Sequence, residues 1–200
     1  MNALGHVKRL FQASIAAKQA TLEQSAEVIV EAATLMADCL AAGGKLLLCG
    51  NGGSAADAQH LAAEMLVRLR THIHRRALPA IALAMDSSSL TASGNDCGYE
   101  SHFERMTEAL GKPGDVLIGI TTSGKSPNVV RALTRARELG IRTVGLLGGT
   151  GLPAREHCDL AIVVPSDETG RIQESHITIG HALMELIEEL MIERGQLAVQ

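Results

Sequence analysis

An apolar run from Lys45 to Cys49 stops at the turn Gly50-Asn51-Gly52-Gly53, and a helix opens at Ser54. Backbone N–H groups in such a turn point outward without partners, and the start of a helix carries partial positive charge. Together they make an anion site. His60 and Glu64 follow on that helix, four residues apart and so on one face. An anion cradle and an acid/base or metal pair therefore share one element.

The unit repeats. Asp115–Ile120 runs into Thr121-Thr122-Ser123-Gly124-Lys125-Ser126-Pro127, another strand, polar turn and helix start. Pro127 falls where a first-turn proline loses nothing, because its missing N–H has no helical partner there. Thr121, Ser123 and Ser126 offer hydroxyls beside free backbone N–H groups, a set suited to a phosphate dianion. The plainer alternative is ordinary helix capping by Ser126. Neither turn has the GxGxxG spacing of dinucleotide sites or the GxxxxGK[ST] pattern of a P-loop, which argues against nucleotide hydrolysis.

The rest of the chain alternates in the same way. Strands are expected at Lys45–Cys49, Pro79–Ala84, Asp115–Ile120, Arg142–Leu147 and Leu160–Val164. Helices are expected at 54–70, Ser87–Ser93, Tyr99–Leu110, Pro127–Leu139, 152–157 and Arg171–Arg194. Alternation of this kind predicts an α/β fold, a three-layer α-β-α sandwich around a mainly parallel sheet of flavodoxin type. Wholly apolar runs such as Val116-Leu117-Ile118 fit strands covered on both faces. Before the sheet, Leu4, Val7, Leu10, Phe11, Ile15 and then Leu22, Ala26, Ile29, Val30, Ala33, Met36 and Leu40 recur at helical spacing. They read as two helices, broken near Ala20-Thr21 and stopped by Gly43-Gly44. Residues 1–42 are thus a helical segment with a face for a neighbouring subunit, and 43–200 carry the sheet; no linker divides the chain.

Composition narrows the function. Phe, Tyr and Trp total three residues, which removes the exposed rings that base stacking needs, and the net charge of −4 gives no footprint for nucleic acid. No stretch approaches a membrane span. Cys39, Cys49, Cys97 and Cys158 form no CxxC pair and read as free thiols, so a cytoplasmic protein is expected. Arg68, Arg70, Arg75 and Arg76 are expected to be a solvated basic loop, with His72 and His74 facing solvent.

Cys-Gly-Asn-Gly-Gly-Ser after one strand and Thr-Ser-Gly-Lys-Ser after a later one resemble the sugar isomerase (SIS) domain. Asp57-Ala58-Gln59-His60, Gly94-Asn95-Asp96, and Arg171-Ile172-Gln173-Glu174 leading to His176 and His181 are similar to its phosphoheptose isomerase branch. The resemblance covers nearly the whole chain. It implies an aldose–ketose isomerase converting sedoheptulose 7-phosphate to D-glycero-D-manno-heptose 7-phosphate, which supplies heptose for lipopolysaccharide or other surface glycans. It also implies a homotetramer with sites between subunits and one zinc ion per subunit. Carried over by position, Glu64 is the base and His181 its acid partner, and His60, Glu64, Gln173 and His181 are the zinc set. Asn51, Gly52, Gly53, Asn95 and Asp96 touch the sugar, with Glu64 and Gln173. Thr121, Thr122, Ser123 and Ser126 hold the phosphate. Thr121 stands where many members have serine, keeping the hydroxyl, and Gly170 stands where some have aspartate, so any role for that carboxylate is dropped.

The chemistry is consistent with the residues. Moving a carbonyl between neighbouring carbons needs a base to carry a proton through an enediol. Asp57, His60 and Glu64 line one helix face, an unusual polar stripe among alanines. Gln173 and His181 are about 12 Å apart along a regular helix. Both reach one ion only if Gln173 precedes the regular helix or the two come from different subunits. Glutamine is also a weak zinc ligand. His176 is expected to be packed and hydrogen-bonded, and Gly180 and Ala182 suit a close helix–helix contact. Two other readings compete with the enzyme. One is a non-catalytic SIS protein binding the bacterial replication initiator, as a relative does; the other is a sugar-phosphate sensor, disfavoured because residues 1–41 lack a basic helix-turn-helix.

Overall fold

A computed structural model describes residues 2–199. Its centre is a sheet of five parallel strands: β1 (Leu46–Gly50), β2 (Ala80–Ala82), β3 (Val116–Thr121), β4 (Arg142–Gly148) and β5 (Leu160–Val164). Their spatial order is β2-β1-β3-β4-β5. The chain therefore steps to one side of β1 and then to the other, and the reversal falls between β1 and β3. In doubly wound sheets that point opens a crevice at the carboxyl ends of the strands. Leu46 pairs with Val116 and Gly50 with Ile120, so β1 and β3 end side by side and release both polar turns at one edge.

Alternate residues of each strand feed two cores. Leu46, Leu48, Ile118, Ile120 and Leu146 face the layer formed by α1 (Ala3–Ala41), α2 (Gly53–Leu66) and α6 (Thr169–Glu193). Leu47, Cys49, Leu117 and Leu147 face the other, where Phe103 of α4 (His102–Leu110) and Val129, Ala132 and Leu133 of α5 (Pro127–Glu138) pack. Burial on both faces explains why these strands read as unbroken apolar runs. The expected three-layer α/β fold is present, and all five strands are parallel.

Several boundaries differ from the sequence expectation. The N-terminal region is one helix of 39 residues, capped by the Asn2 side chain on the Gly5 N–H, with no break at Ala20-Thr21. Thr21 is buried and turns its hydroxyl back on the Ala17 carbonyl at 2.7 Å, so it sits inside the helix without ending it. Its later half, Ala32, Ala33, Met36 and Leu40, enters the core. The earlier part leaves Leu4, Val7, Phe11, Ile15 and Leu22 exposed. α2 stops at Leu66 rather than running to residue 70. The region from Tyr99 divides into a 3-10 turn, Tyr99–Ser101, and α4, and another 3-10 turn spans Ala154–His157. The exposed helix α3 (Ser87–Asp96) follows β2 and carries the Gly94-Asn95-Asp96 motif. All four cysteines are free thiols.

Candidate active site

At the end of β1, Gly52 adopts φ 54°, a left-handed conformation that glycine tolerates without strain. It forms the N-cap of α2 with no side-chain hydrogen bond, and the Ser54, Ala55 and Ala56 N–H groups donate to the Asn51 and Gly52 carbonyls. Gly53 matters for a different reason: a Cβ there would come within 2.8 Å of the Gln173 amide, so its absence makes room for α6. At the end of β3 the Ser126 side chain makes no capping bond to α5. Its hydroxyl instead lies 2.9 Å from Thr121 Oγ1, which is 3.4 Å from Ser123 Oγ. Capping by Ser126 is therefore not realised; the Val129 N–H instead donates to the Ser126 carbonyl and the Asn128 side chain, and three hydroxyls gather beside the helix start. Beside them a cleft of about 310 Å³ is lined by Thr122, Ser123, Lys125, Thr150 and Thr169. The hydroxyls and the α5 start form a neutral donor set that suits a dianion.

The two turns are joined through Asn51. Its side chain exchanges hydrogen bonds with Asn128, the second residue of α5, at 2.9 and 2.8 Å, and its Oδ1 also accepts from Tyr99 at 2.7 Å. The Asn51 carbonyl oxygen is thus fully used, and what remains for a ligand is one N–H and the backbone. Neither Asn128 nor Tyr99 stands out in the sequence; their signal is three-dimensional.

α2 and α6 bring the titratable groups together. Gly180 lies against Leu61 so closely that a Cβ would meet Leu61 Cδ1 at 2.6 Å, as the small residues around His181 suggest. That approach sets His181 Nε2 2.8 Å from His60 Nε2, with the rings edge-on at 71°. Glu64 Oε1 is 3.4 Å from the same His60 nitrogen. His60, Glu64 and His181 therefore meet within one chain. Gln173 lies inside the regular helix α6 and donates its amide to Asp57 at 3.2 Å, one turn before His60. Burial pushes the Asp57 carboxyl above its ordinary value, opposed by the Gln173 hydrogen bond and the nearby His60 and His181.

Asn95 and Asp96 stand apart from this centre. They close the exposed end of α3, Asn95 donates to Asp96 at 2.6 Å, and Asp96 lines a separate cavity with Ser93 and Arg105. The hydroxyl of Tyr99, three residues on, links this segment to Asn51. His176 is wholly buried and bonds the Leu147 carbonyl at 3.1 Å, as expected of a packed histidine. The basic loop departs from expectation. Arg70 and Arg75 are ion-paired with Glu188, Arg70 partly exposed and the Arg75 side chain 1 % exposed. The acceptor, Glu188, lies more than a hundred residues away in sequence, out of reach of local charge patterning.

Two imidazole nitrogens and a carboxylate oxygen converging on an exposed edge are the donor types of a catalytic zinc site. His60 is the shared neighbour, although among the described residues no three His, Cys, Asp or Glu side chains stand at the spacing of a filled metal site. The Gln173 oxygen accepts no hydrogen bond among the described residues, and an amide binds a cation through its oxygen. The residue types fit zinc.

An open parallel sheet with a hydroxyl-lined turn and a His–Glu–His cluster at its carboxyl edge is the setting of the site, and the SIS domain family profile matches residues 10–148. The chain is 54% identical over 175 residues to the phosphoheptose isomerase of Chlorobaculum parvum, covering 87% of this chain and 84% of that one. It is 52% identical over 192 residues to that of Aquifex aeolicus, covering 96% and 100%. The solved phosphoheptose isomerase of Neisseria gonorrhoeae superposes with a TM-score of 0.87 at 43% identity, over 93% of this chain and 98% of that one. The chain belongs to the SIS domain family and, within it, to the phosphoheptose isomerases. It is an isomerase of sugar phosphates.

Proposed function

We propose that the substrate is sedoheptulose 7-phosphate and the product D-glycero-D-manno-heptose 7-phosphate, a precursor of lipopolysaccharide or other surface glycans. The observation that carries this reading is the meeting of His60, Glu64 and His181 on the helix that follows β1 and its neighbour α6, while β3, which ends beside β1, releases a hydroxyl-lined turn that suits a phosphate. Thr121, Thr122, Ser123 and Ser126 bind the phosphate, and Asn51, Gly52 and Gly53 bind the sugar, Asn51 through its free N–H or backbone; Asn95 and Asp96, which stand apart from this centre within one chain, would reach the sugar from a neighbouring subunit. Glu64, with a half-buried carboxylate, takes the proton from one carbon and returns it to the next, and His181 serves the oxygens as acid. His60, Glu64 and His181 would hold zinc, and Gln173, about 12 Å from His181 along the regular helix α6, would join them only from a neighbouring subunit. Zinc held by these residues would supply Lewis-acid stabilisation of negative charge developing on substrate oxygens. Asp57 orients the Gln173 amide.

The same reading includes a homotetramer in the cytoplasm. Leu4, Val7, Phe11, Ile15 and Leu22 along one helix form an apolar stripe that association would cover. Among the described residues no helix is long and apolar enough to cross a membrane. The intact acid/base cluster favours catalysis over the initiator-binding alternative.

Purified protein incubated with sedoheptulose 7-phosphate, with zinc and with a chelator in separate arms, tests the reaction by detection of the aldose phosphate. Turnover that falls in the chelator arm and returns with zinc is expected. Absence of product in every arm overturns the reading, and light scattering of the same sample tests the tetramer.

A further inference from the structure

Two polar contacts cross between α2 and α6, and a third ties the segment after α2 to α6. Gln173 meets Asp57, His181 meets His60, and Glu188, seven residues beyond His181, meets Arg75 at 2.5 Å. The first two belong to the site. The third is buried, its side chains 1 % and 2 % exposed, and no step of the proposed reaction uses it.

Arg75 does more than pair a charge. α2 ends at Leu66, so the carbonyls of Glu64 and Met65 lack the N–H four residues on that a longer helix would supply. Arg75 Nη2 donates to the Glu64 carbonyl at 2.9 Å and Nη1 to the Met65 carbonyl at 3.0 Å. The guanidinium thus caps the helix through the main chain of Glu64 itself, with its cation at the negative end of the helix dipole. On the other side, Glu188 accepts from Arg75 through one oxygen and from Arg70, at 2.7 Å, through the other. Between these ends Leu61 seats against Gly180, and Met65, Leu183 and Ile187 pack in the same core. That apolar packing sets how closely the helices approach and is not directional. Of the polar contacts that add direction, two lie among groups that turn to a ligand, which leaves the Arg75–Glu188 pair as the one committed to position alone.

We propose that the Arg75–Glu188 pair is a positioning device that sets the axial register of α6 on α2 and holds the Glu64 main chain. Glu64 then reaches the reacting carbons while His181 reaches their oxygens. The inference rests on the isomerase reading for its kinetic consequence but not for its geometry.

The test replaces both partners with apolar residues of similar length, Arg75→Met with Glu188→Leu, so that no buried charge is left unpaired. Glu188→Gln serves as a milder second variant that keeps the shape and one acceptor oxygen. Circular dichroism and thermal melting of the full-length proteins establish folding. Misplacement of reacting groups by about 1 Å costs up to about a hundredfold in rate. The double variant is therefore expected to lose about ten- to a hundredfold in kcat, with KM within about threefold, and Glu188→Gln to lose less with the same split. Crystal structures should show the His60–His181 nitrogen separation lengthened from 2.8 Å in the double variant. A folded variant that keeps wild-type kcat, or whose histidine separation is unchanged, overturns the proposal. If the double variant does not fold, wild-type kcat in Glu188→Gln overturns it. If the wild-type protein shows no isomerisation, the functional reading fails by itself and the histidine separation alone decides the register.

Discussion

The turn after β1 and the turn after β3 are built alike and equipped differently. Both follow strands that end side by side, and both open a helix whose N-cap makes no side-chain hydrogen bond. The first leads into His60 and Glu64, facing His181. The second offers Thr121, Ser123 and Ser126 and no group that titrates near neutral pH. Hydroxyls hold a dianion at any physiological pH, whereas proton transfer needs groups whose charge can change. The comparison teaches that the glycine turn only creates an opening. What lies one or two turns into the helix, and which helix packs against it, decides the chemistry. On the proposed function, affinity belongs to the second turn and turnover to the first.

The strongest way to break that division is Glu64→Gln. The amide keeps the shape and cannot accept the carbon-bound proton. We expect kcat to fall by about a thousandfold or more, near the upper range for a lost general base, while KM stays within a few-fold. Steady-state kinetics with the sugar phosphate checks this. A change carried mainly by KM would mean that the first turn binds rather than reacts.

His176 sharpens the comparison from the α6 side. It fastens α6 to the end of β4, where Gly148 packs against the Thr122 carbonyl of the second turn. Burial pushes its imidazole down to about 4, partly opposed by its bond to the Leu147 carbonyl. An unfolded histidine titrates near 6.5, so between those values the unfolded chain takes up a proton that the folded one refuses. The stability tied to neutral His176 is present above about pH 6.5 and is lost as the pH falls towards 4, by about 3 kcal/mol at the lower end. Urea unfolding from pH 7 to pH 4 measures the loss, and His176→Asn should remove most of it. An unchanged slope in that variant would place the acid sensitivity elsewhere.

Much of this was legible in the sequence because it is local. Apolar runs fully covered on both faces, glycine turns and the spacing of His60 and Glu64 are written within a few residues of each other, and Gly180 announced a close contact. The continuous α1 was not legible, since Thr21 looks like a breaker until its hydroxyl is seen bonded to Ala17. Nor was Arg75, whose partners are main-chain carbonyls and a glutamate on a distant helix. Gln173 and His181 seemed too far apart along one helix to serve one centre. The structure sets α2 beside α6, so Gln173 meets Asp57 while His181 meets His60.

The second turn is probed by Ser126→Ala. Removing one hydroxyl from the Thr121–Ser126 pair deletes a donor to a charged ligand, a loss of about 1.5 kcal/mol or roughly tenfold in affinity. Inorganic phosphate, as a competitive inhibitor, should weaken by that factor while kcat holds within about threefold. Because Ser126 makes no capping bond, the melting temperature should barely move. A large drop in kcat with intact phosphate affinity would erase the distinction between the turns.

The smallest effect belongs to the link between them. Tyr99 donates to Asn51 Oδ1 at 2.7 Å, but its side chain is half exposed, so water can take over when the hydroxyl is lost. Tyr99→Phe should raise KM about two- to threefold, near 0.5 kcal/mol, and leave kcat alone. Asn128→Ala is the sharper companion, because Asn128 is buried and exchanges two bonds with Asn51. Without it the Asn51 amide loses the partner that ties it to α5, and KM should rise more than in Tyr99→Phe. If the two variants weaken substrate binding equally, Asn51 is held from the α3 side rather than from the second turn, and the turns are neighbours without being joined.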